Sequence, residues 1–268
     1  MMWIMSDTGR KIYKYYSYSD YSLDVLQNNQ LFFSFPSNFN DPFDSSALLV
    51  KPYKKFCDSI GITSIDEIFE KQGVCCFTKS IKPDNKHFWS QYAGNYTGFA
   101  LEFDEDELNS KYWTLHLEKV HYFDNPMNLD DFKNTFSTNQ SDRTYTIEEC
   151  IKEFTNSTEY NPEPLDRLFQ YLHLYKEKNV WGNENEYRMI IGNSSRNPAN
   201  PISQKIHLKD EGYLLDLCPN AIKSIILGYK MSPENKKRIY KIIKDTGITI
   251  YEATPDIVSQ WAITIKQI

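Results

Sequence analysis

The sequence lacks the short motifs by which several large enzyme classes are identified. It contains only 10 glycines in 268 residues, and none of them forms a G-x-x-x-x-G-K-S/T loop or a G-x-G-x-x-G turn. A P-loop nucleotide triphosphatase and a Rossmann-type enzyme are therefore not indicated. The G-x-S-x-G elbow that carries the nucleophile of many hydrolases is also missing.

The cysteines and histidines follow no metal-binding or disulfide pattern. The five cysteines are an odd number, no C-x-x-C pair occurs, and Cys75 and Cys76 are adjacent in an apolar run. We therefore expect neither a disulfide framework nor a bound metal. The acids that a metal-dependent nuclease would have to cluster lie far apart in the sequence, namely Asp41, Asp44, Glu102 and Asp104.

The sequence also lacks an excess of positive charge and any long apolar run. The net charge is −6 and the pI is about 5.5, which argues against a broad nucleic-acid-binding surface. No apolar run approaches the length of a membrane span, and the run at residues 1–5 is too short for a signal peptide. We expect a soluble, cytoplasmic protein that does not bind membranes.

Strand-like and helix-like segments alternate irregularly along the chain. Residues 12–16, 31–35, 73–77 and 97–103 are rich in apolar and β-branched residues, which favours strands. Because no steady βα alternation appears, the sequence predicts a single α+β domain over residues 1–268, with a central mixed or antiparallel sheet and flanking helices. A helical insertion is predicted at about 125–178.

The stretch from residue 180 to 191 changes from a polar loop to an apolar, strand-like run. Because side chains alternate along a strand, Glu184, Glu186 and Arg188 should share one face. The opposite face, facing the core, would then carry Tyr187, Met189 and Ile191. Two interpretations fit: a surface strand with an ion pair, or an active-site strand whose carboxylates are held by Arg188 and Trp181.

A proline-flanked loop follows the second predicted strand. The Asn40-Asp41-Pro42-Phe43 segment is unsuited to regular structure, because its proline restricts the backbone and its Asn and Asp favour turns. We expect this loop to be ordered, with Phe43 buried and Asn40 or Asp41 bonded to the backbone.

Several short motifs resemble the bacterial family known as domain of unknown function 2971. They occur in the same order over nearly the whole chain: Tyr13-Lys14-Tyr15, Leu31-Phe32-Phe33-Ser34, Asn40-Asp41-Pro42-Phe43, Cys76-Phe77-Thr78, Trp89-Ser90-Gln91-Tyr92-Ala93, Gly98-Phe99-Ala100-Leu101-Glu102-Phe103, Trp181 with Glu184, Glu186 and Arg188, and Ile225-Ile226-Leu227-Gly228. The family name carries no activity, so this resemblance implies kinship alone.

A second resemblance, to toxin-type ADP-ribosyltransferases, implies an activity. That family combines a basic residue on the first strand, a Ser/Thr-x-Ser strand end and a late Glu-x-Glu. This chain has Lys14, then Thr78-Lys79-Ser80, then Glu184-Asn185-Glu186, although the family pattern has Arg or His at the first position. The substrate would be NAD, and a carboxylate would stabilise the oxocarbenium-like charge formed when the nicotinamide–ribose bond breaks.

The same resemblance implies roles for individual residues. Glu186 would stand beside the ribose, Glu184 would orient an acceptor or water, and Arg188 would hold the pair. Such an enzyme would serve as a toxin or phage-defence effector, with an unidentified macromolecular acceptor. The residues expected to bind NAD are Tyr13, Lys14, Tyr15, Asn40, Asp41, Thr78, Ser80, Trp89, Tyr92 and Trp181.

A non-catalytic binding or sensor module in a bacterial defence system is the alternative. The 19 tyrosines and the Asn-Asp-Pro-Phe loop suit a protein interface equally well. Geometry distinguishes the two hypotheses, because an enzyme needs Lys14, Ser80 and Glu186 to converge on one concave pocket.

Overall fold

A mixed sheet of eleven strands organises the fold in the computed structural model of the protein. The structure describes residues 10–45, 54, 58, 65–79, 86–115, 117–125, 169–170, 172–256, 258 and 262–268. The predicted α+β architecture with a central mixed sheet is confirmed. The resemblance to ADP-ribosyltransferases also implies a fold like theirs, and this stays a prediction.

Two strands, β6 and β7, form a separate parallel pair, and all the other strands belong to the main sheet. The strands are β1 (Lys11–Tyr16), β2 (Gln30–Ser34), β3 (Gly73–Thr78), β4 (Phe99–Asp104), β5 (Glu118–Lys119), β6 (His121–Phe123), β7 (Tyr175–Glu177), β8 (Glu186–Ile191), β9 (Ile206–Lys209), β10 (Gly212–Asp216), β11 (Ile222–Gly228), β12 (Thr249–Asp256) and β13 (Ala262–Gln267).

The helices of the described segments are short. They are α1 (Asp20–Gln27), α2 (Ile65–Glu70), α3 (Lys86–Gln91), α4 (Glu105–Lys111), α5 (Lys178–Trp181), α6 (Asn193–Arg196) and α7 (Pro233–Ile243). Ser19 and Ser232 cap α1 and α7, because each hydroxyl accepts a bond from a backbone N–H of the first turn. None of the helices in these segments combines the length and the apolar character needed to span a membrane.

The sheet forks at β3. The strand order is β13-β12-β11-β4-β1-β3-β2-β10-β9, and β8 lies along β3 over the whole length of both strands. Because β8 occupies one edge of β3, β1 and β2 must share the other edge. Each is paired there through one residue only, Tyr13 with Thr78 and Ser34 with Val74. The two strands therefore diverge from β3 between these two pairs.

The two faces of β3 and β8 have different environments. Met189 and Ile191 pack into the main hydrophobic core and Tyr187 packs against it, as the alternation predicted. On the opposite face, Cys76 stands across from Arg188 and Thr78 from Glu186. This second face carries the charged side chains of the candidate site.

The predicted helical insertion is only partly within the described residues. Residues 126–168 lie outside them, so this part of the prediction stays untested. Residues 175–177, placed in a helix by the sequence, form β7 instead. A tertiary contact explains this difference, because pairing in parallel with β6 fixes the backbone of β7 in an extended conformation.

His173 is a buried titratable group beside the charged face. Its ring is fully buried and stacks on Phe69 with ring centroids 4.1 Å apart. Among the described residues neither ring nitrogen has a hydrogen-bond partner, whereas the backbone carbonyl accepts a bond from Arg188. Burial first, and then the nearby Arg188 charge, lowers the pKa of His173 well below its usual value.

This pKa has a predictable effect on stability. The unfolded chain binds a proton at His173 near pH 6.5, whereas the folded protein does not, so stability falls as the pH drops below that value. Each proton contributes at most about 1.4 kcal/mol per pH unit. We expect the free energy of unfolding of His173→Phe, measured with urea between pH 7.5 and 5.5, to depend less steeply on pH than that of the wild type. The difference should correspond to the uptake of one proton. The control is Phe69→Leu, which changes the same ring stack without removing a titratable group, and an unchanged slope in His173→Phe would contradict the assignment.

Candidate functional site

Arg188 is the centre of a buried ionic cluster. Its side chain is fully buried and donates from Nε to Glu186 Oε1 at 2.7 Å and from Nη2 to Glu186 Oε2 at 3.1 Å. It also donates from Nη1 and Nη2 to the two carboxylate oxygens of Asp44, at 2.8 and 2.7 Å. Two bidentate contacts fix both carboxylates relative to β8.

Lys176, on β7, joins the same cluster from the other side. Its Nζ donates to Glu184 Oε2 at 2.8 Å and to Glu186 Oε2 at 3.0 Å, and lies 3.4 Å from Asp44 Oδ2. The ammonium also stands 4.6 Å from the ring centroid of Trp181. This lysine therefore holds the two glutamates together, and the indole provides a cation–π contact.

Glu184 reaches the cluster from outside the strand. It ends a short 3-10 helix, Gly182–Glu184, and the left-handed backbone of Asn185, with φ 46°, connects that helix to β8. Thr78 donates a bond to the Glu184 carbonyl at 2.8 Å. The carboxylate accepts from Tyr92 Oη at 2.6 Å, and His87 Nε2 lies 3.4 Å from the same oxygen. His87 is about half exposed, whereas Glu184 is buried, so His87 lies between this carboxylate and solvent.

Neighbouring charges hold Glu186 and Lys176 in their charged forms. Burial by itself would raise the pKa of Glu186, but Arg188 and Lys176 outweigh it and lower that pKa well below its ordinary value. Burial opposes the charge on Lys176 in the same way, and Glu186 and Asp44 raise its pKa. Three carboxylates and two cations leave one net negative charge.

A cavity of about 380 Å³ opens at the fork of the sheet, above this cluster. Aromatic side chains from several elements form much of its wall: Tyr13, Tyr15, Phe32, Phe39, Phe77, Phe88 and Tyr92. Lys14 also lines it, and its Nζ donates a long bond of 3.4 Å to the Cys76 carbonyl. Among the described residues no carboxylate oxygen lies within 4.0 Å of this ammonium.

The structure brings most of the predicted site residues to this cavity. The lining includes Tyr13, Lys14, Tyr15, Asn40, Thr78, Tyr92, Glu184, Glu186 and Arg188. Asp41 and Trp181 stand beside the cluster and bond to each other, Trp181 Nε1 donating to Asp41 Oδ2 at 2.8 Å. Trp89 does not reach the cavity, because it is buried in a second core against Tyr15. Ser80 lies outside the described residues.

The loop prediction was right in one part and wrong in another. Asp41 Oδ1 accepts a bond from the backbone N–H of Phe43 at 3.0 Å, as expected. Phe43 itself is 74% exposed, so the prediction that it is buried was wrong. Phe39 takes the inward position instead, with its ring 5.6 Å from the Arg188 guanidinium, and the buried end of the loop is Asp44.

The role predicted for Arg188 needs a correction. Its guanidinium pairs Glu186 with Asp44, whereas Lys176 connects Glu186 to Glu184. Sequence reasoning missed Lys176 because residues 175–177 were predicted to be helical. Asp44 stood among the candidate acids, but only the fold reveals that it meets a strand more than 140 residues later.

The described residues contain no group of three or more His, Cys, Asp and Glu side chains with metal-binding geometry. The carboxylate oxygens of Asp44 and Glu186 accept hydrogen bonds from Arg188 and Lys176 instead. The chemistry of the cluster is therefore that of fixed carboxylates beside cations.

Comparison with known proteins supports one of the two resemblances. The family model described as "Protein of unknown function (DUF2971)" matches residues 88–189, a segment that includes Trp89, Trp181, Glu184, Glu186 and Arg188. No curated protein and no solved structure gives a significant match. The family description names no activity, so the function has to be argued from the site.

Removal of the Arg188 charge should strongly destabilise the fold. Arg188→Met leaves Asp44 and Glu186 buried with one fewer cation, and breaking a buried ion pair typically costs about 3–5 kcal/mol. We expect a loss of that size in urea unfolding at pH 7. Arg238→Met is the matched control, because Arg238 pairs with Asp20 on the surface and its removal should change little. Equal losses in the two variants would contradict the central role of Arg188.

Proposed function

We propose that the protein cleaves the nicotinamide–ribose bond of NAD in an ADP-ribosyltransferase-like reaction. One observation carries the proposal: Lys14, Thr78 and the Glu184/Glu186 pair, which come from three distant parts of the chain, line the same cavity. Their order along the chain is the order of the three elements of toxin-type ADP-ribosyltransferases. Convergence on one concave pocket is what an enzyme with these residues requires.

The size and walls of the cavity suit one half of a dinucleotide. A volume of about 380 Å³ lies near the lower end of the range for ligand pockets, about 300–1,000 Å³. Tyr13, Tyr15 and Phe88 offer flat faces against which a nicotinamide ring can stack. The nicotinamide and its ribose would occupy the cavity, and the adenosine half would extend from its open side.

The charge distribution suits the same ligand. The ionic cluster has one net negative charge, which favours the cationic nicotinamide ring and the positive charge that develops on the ribose. Lys14 lacks a carboxylate partner among the described residues, so its ammonium is available for the diphosphate.

The reaction needs no group beyond the substrate and an acceptor. The bond between the ribose C1′ and the nicotinamide nitrogen breaks, and its electron pair neutralises the pyridinium charge. A hydroxyl or other nucleophile of an acceptor, or water, forms the new bond to C1′ and releases its proton to solvent. The carboxylates of the cluster stabilise the oxocarbenium-like transition state electrostatically.

The contacts favour Glu184 as the carboxylate that touches the ribose. Glu186 uses both oxygens on Arg188 and Lys176, whereas Glu184 has a single cation partner and faces the side of Tyr92 and His87. Glu186 would then act through position and charge, holding Lys176 and thereby Glu184.

A binding module without chemistry is the second candidate. The observation that favours it is the pairing of all three carboxylates with cations, which also occurs in purely structural ion clusters. The exposed Phe43 on the Asn-Asp-Pro-Phe loop suits a protein contact beside the cavity. NAD turnover distinguishes the two candidates.

The test measures NAD consumption by the wild-type protein, Glu184→Gln and Glu186→Gln. Each variant keeps nearly the same side-chain shape and removes one negative charge, so we expect turnover to fall about a hundredfold or more. Glu184→Gln should be the more stable of the two, because Glu184 pairs with Lys176 alone among lysines and arginines, whereas Glu186 pairs with both Lys176 and Arg188.

The control variant is Glu252→Gln. Glu252 lies on β12, away from the cavity, and forms a half-buried ion pair with Lys236 of α7. This variant should leave turnover unchanged. Thermal unfolding of every variant separates loss of activity from loss of fold. Absence of turnover in the wild type with water and a broad panel of acceptors, or equal turnover in all four proteins, would refute the enzyme.

A further inference from the structure

A second cavity, of about 500 Å³, lies at the β9 edge of the main sheet. Its wall contains the apolar side chains of Phe35, Ile206 and Leu208 and two cationic residues, Lys71 and Arg196. Leu208 is 72% exposed. This cavity shares no lining residue with the one at the fork of the sheet.

The two cations of this cavity lack acidic partners. Arg196 donates to the Gly192 carbonyl and to Asn193 Oδ1, and its guanidinium lies 5.2 Å from the ring centroid of Tyr213. Among the described residues no carboxylate lies within 4.0 Å of Arg196 or Lys71. The one acid in the wall, Asp210, is 3.4 Å from Lys209. The fixed guanidinium is therefore ready to bind an anion.

The strand beside the cavity has an unpaired edge. Within the described segments β9 pairs only with β10, through a two-residue turn that closes at Lys209 and Gly212. Hydrogen-bonded and non-bonded pairs alternate in an antiparallel ladder, so Leu208 and Tyr213 form a non-bonded pair. The N–H and C=O of Leu208 consequently point to the outer edge, where another strand can pair with them.

We propose that this edge binds an extended, acidic segment of a partner protein as an added strand. The partner's backbone would pair with Leu208, an apolar side chain would enter the cavity beside Ile206 and Phe35, and a carboxylate would bind Arg196 and Lys71. Charge complementarity selects an acidic segment over a basic one. The inference is independent of any reaction at the first cavity.

The probe is a synthetic capped octapeptide of alternating Leu and Glu, titrated into the protein and followed by amide chemical shifts and calorimetry. We expect shifts at Leu208 and its neighbours, and binding that weakens with salt. An octapeptide of alternating Leu and Lys, and one with proline at every second position, should not bind. Binding of either control, or no binding of the acidic peptide, would overturn the proposal.

Two pairs of variants test the backbone and charge contacts separately. Leu208→Pro removes the outward N–H, and proline is tolerated where an edge-strand N–H faces solvent. It should abolish binding, whereas Leu208→Ala should weaken it only several-fold. Arg196→Gln should weaken binding by about tenfold, and the surface control Arg238→Gln should not.

Each result of the variant series has a defined meaning. Binding that survives Leu208→Pro but is lost in Arg196→Gln would identify a site for a free anion and overturn strand pairing. If Leu208→Pro fails to fold, the proline-containing peptide remains the test of backbone pairing, since it cannot donate the required bonds. NAD turnover should be the same in all four variants, which separates this proposal from the enzymatic one.

Discussion

The burial of Arg188 is the constraint on which the candidate site depends. A fully buried guanidinium has five N–H groups to satisfy, and it satisfies them with two carboxylates, the Ser45 hydroxyl and the His173 carbonyl. These acceptors come from the loop after β2, from β8 itself and from the residues before β7. One side chain therefore joins three segments that are far apart in the sequence, and the position of each depends on its charge.

The fork of the sheet explains why a cavity forms above this cluster. If β1 and β2 were paired along β3 for its whole length, no gap would remain at the middle of the strand. Each is instead attached by one residue pair, and the space between them is walled by aromatic side chains from both strands and from α3. Cys76, at the middle of β3, thus exposes its carbonyl to Lys14. The pairing of the strands at β3 creates the opening, and the aromatic side chains around it make its wall apolar.

Local pattern predicted much of this arrangement, and long-range pairing decided the rest. Alternation along β8 correctly assigned Glu186 and Arg188 to one face and Met189 to the other, because a period of two is a property of the strand itself. The partners of Arg188 depend on which distant segments pack against that face. Asp44 was therefore recognisable only as an acid in a loop, and Phe43 was assigned the inward position that the partly buried Phe39 occupies.

Stability alone does not account for the charges of the cluster. Burial removes the hydration of both ions, and the attraction between them only just compensates for this loss. Apolar side chains of similar volume are therefore often equally stabilising. An apolar cluster, however, would present no charge to the cavity, whereas this one presents fixed carboxylates beside aromatic walls, with the Lys14 ammonium in the same lining. Glu184 is the acid of the cluster with a single lysine or arginine partner, and the half-exposed His87 lies beside its buried carboxylate. The proposed cleavage of NAD uses this property, because a carboxylate that is fixed in place before the ligand arrives can stabilise the positive charge that would develop on the ribose.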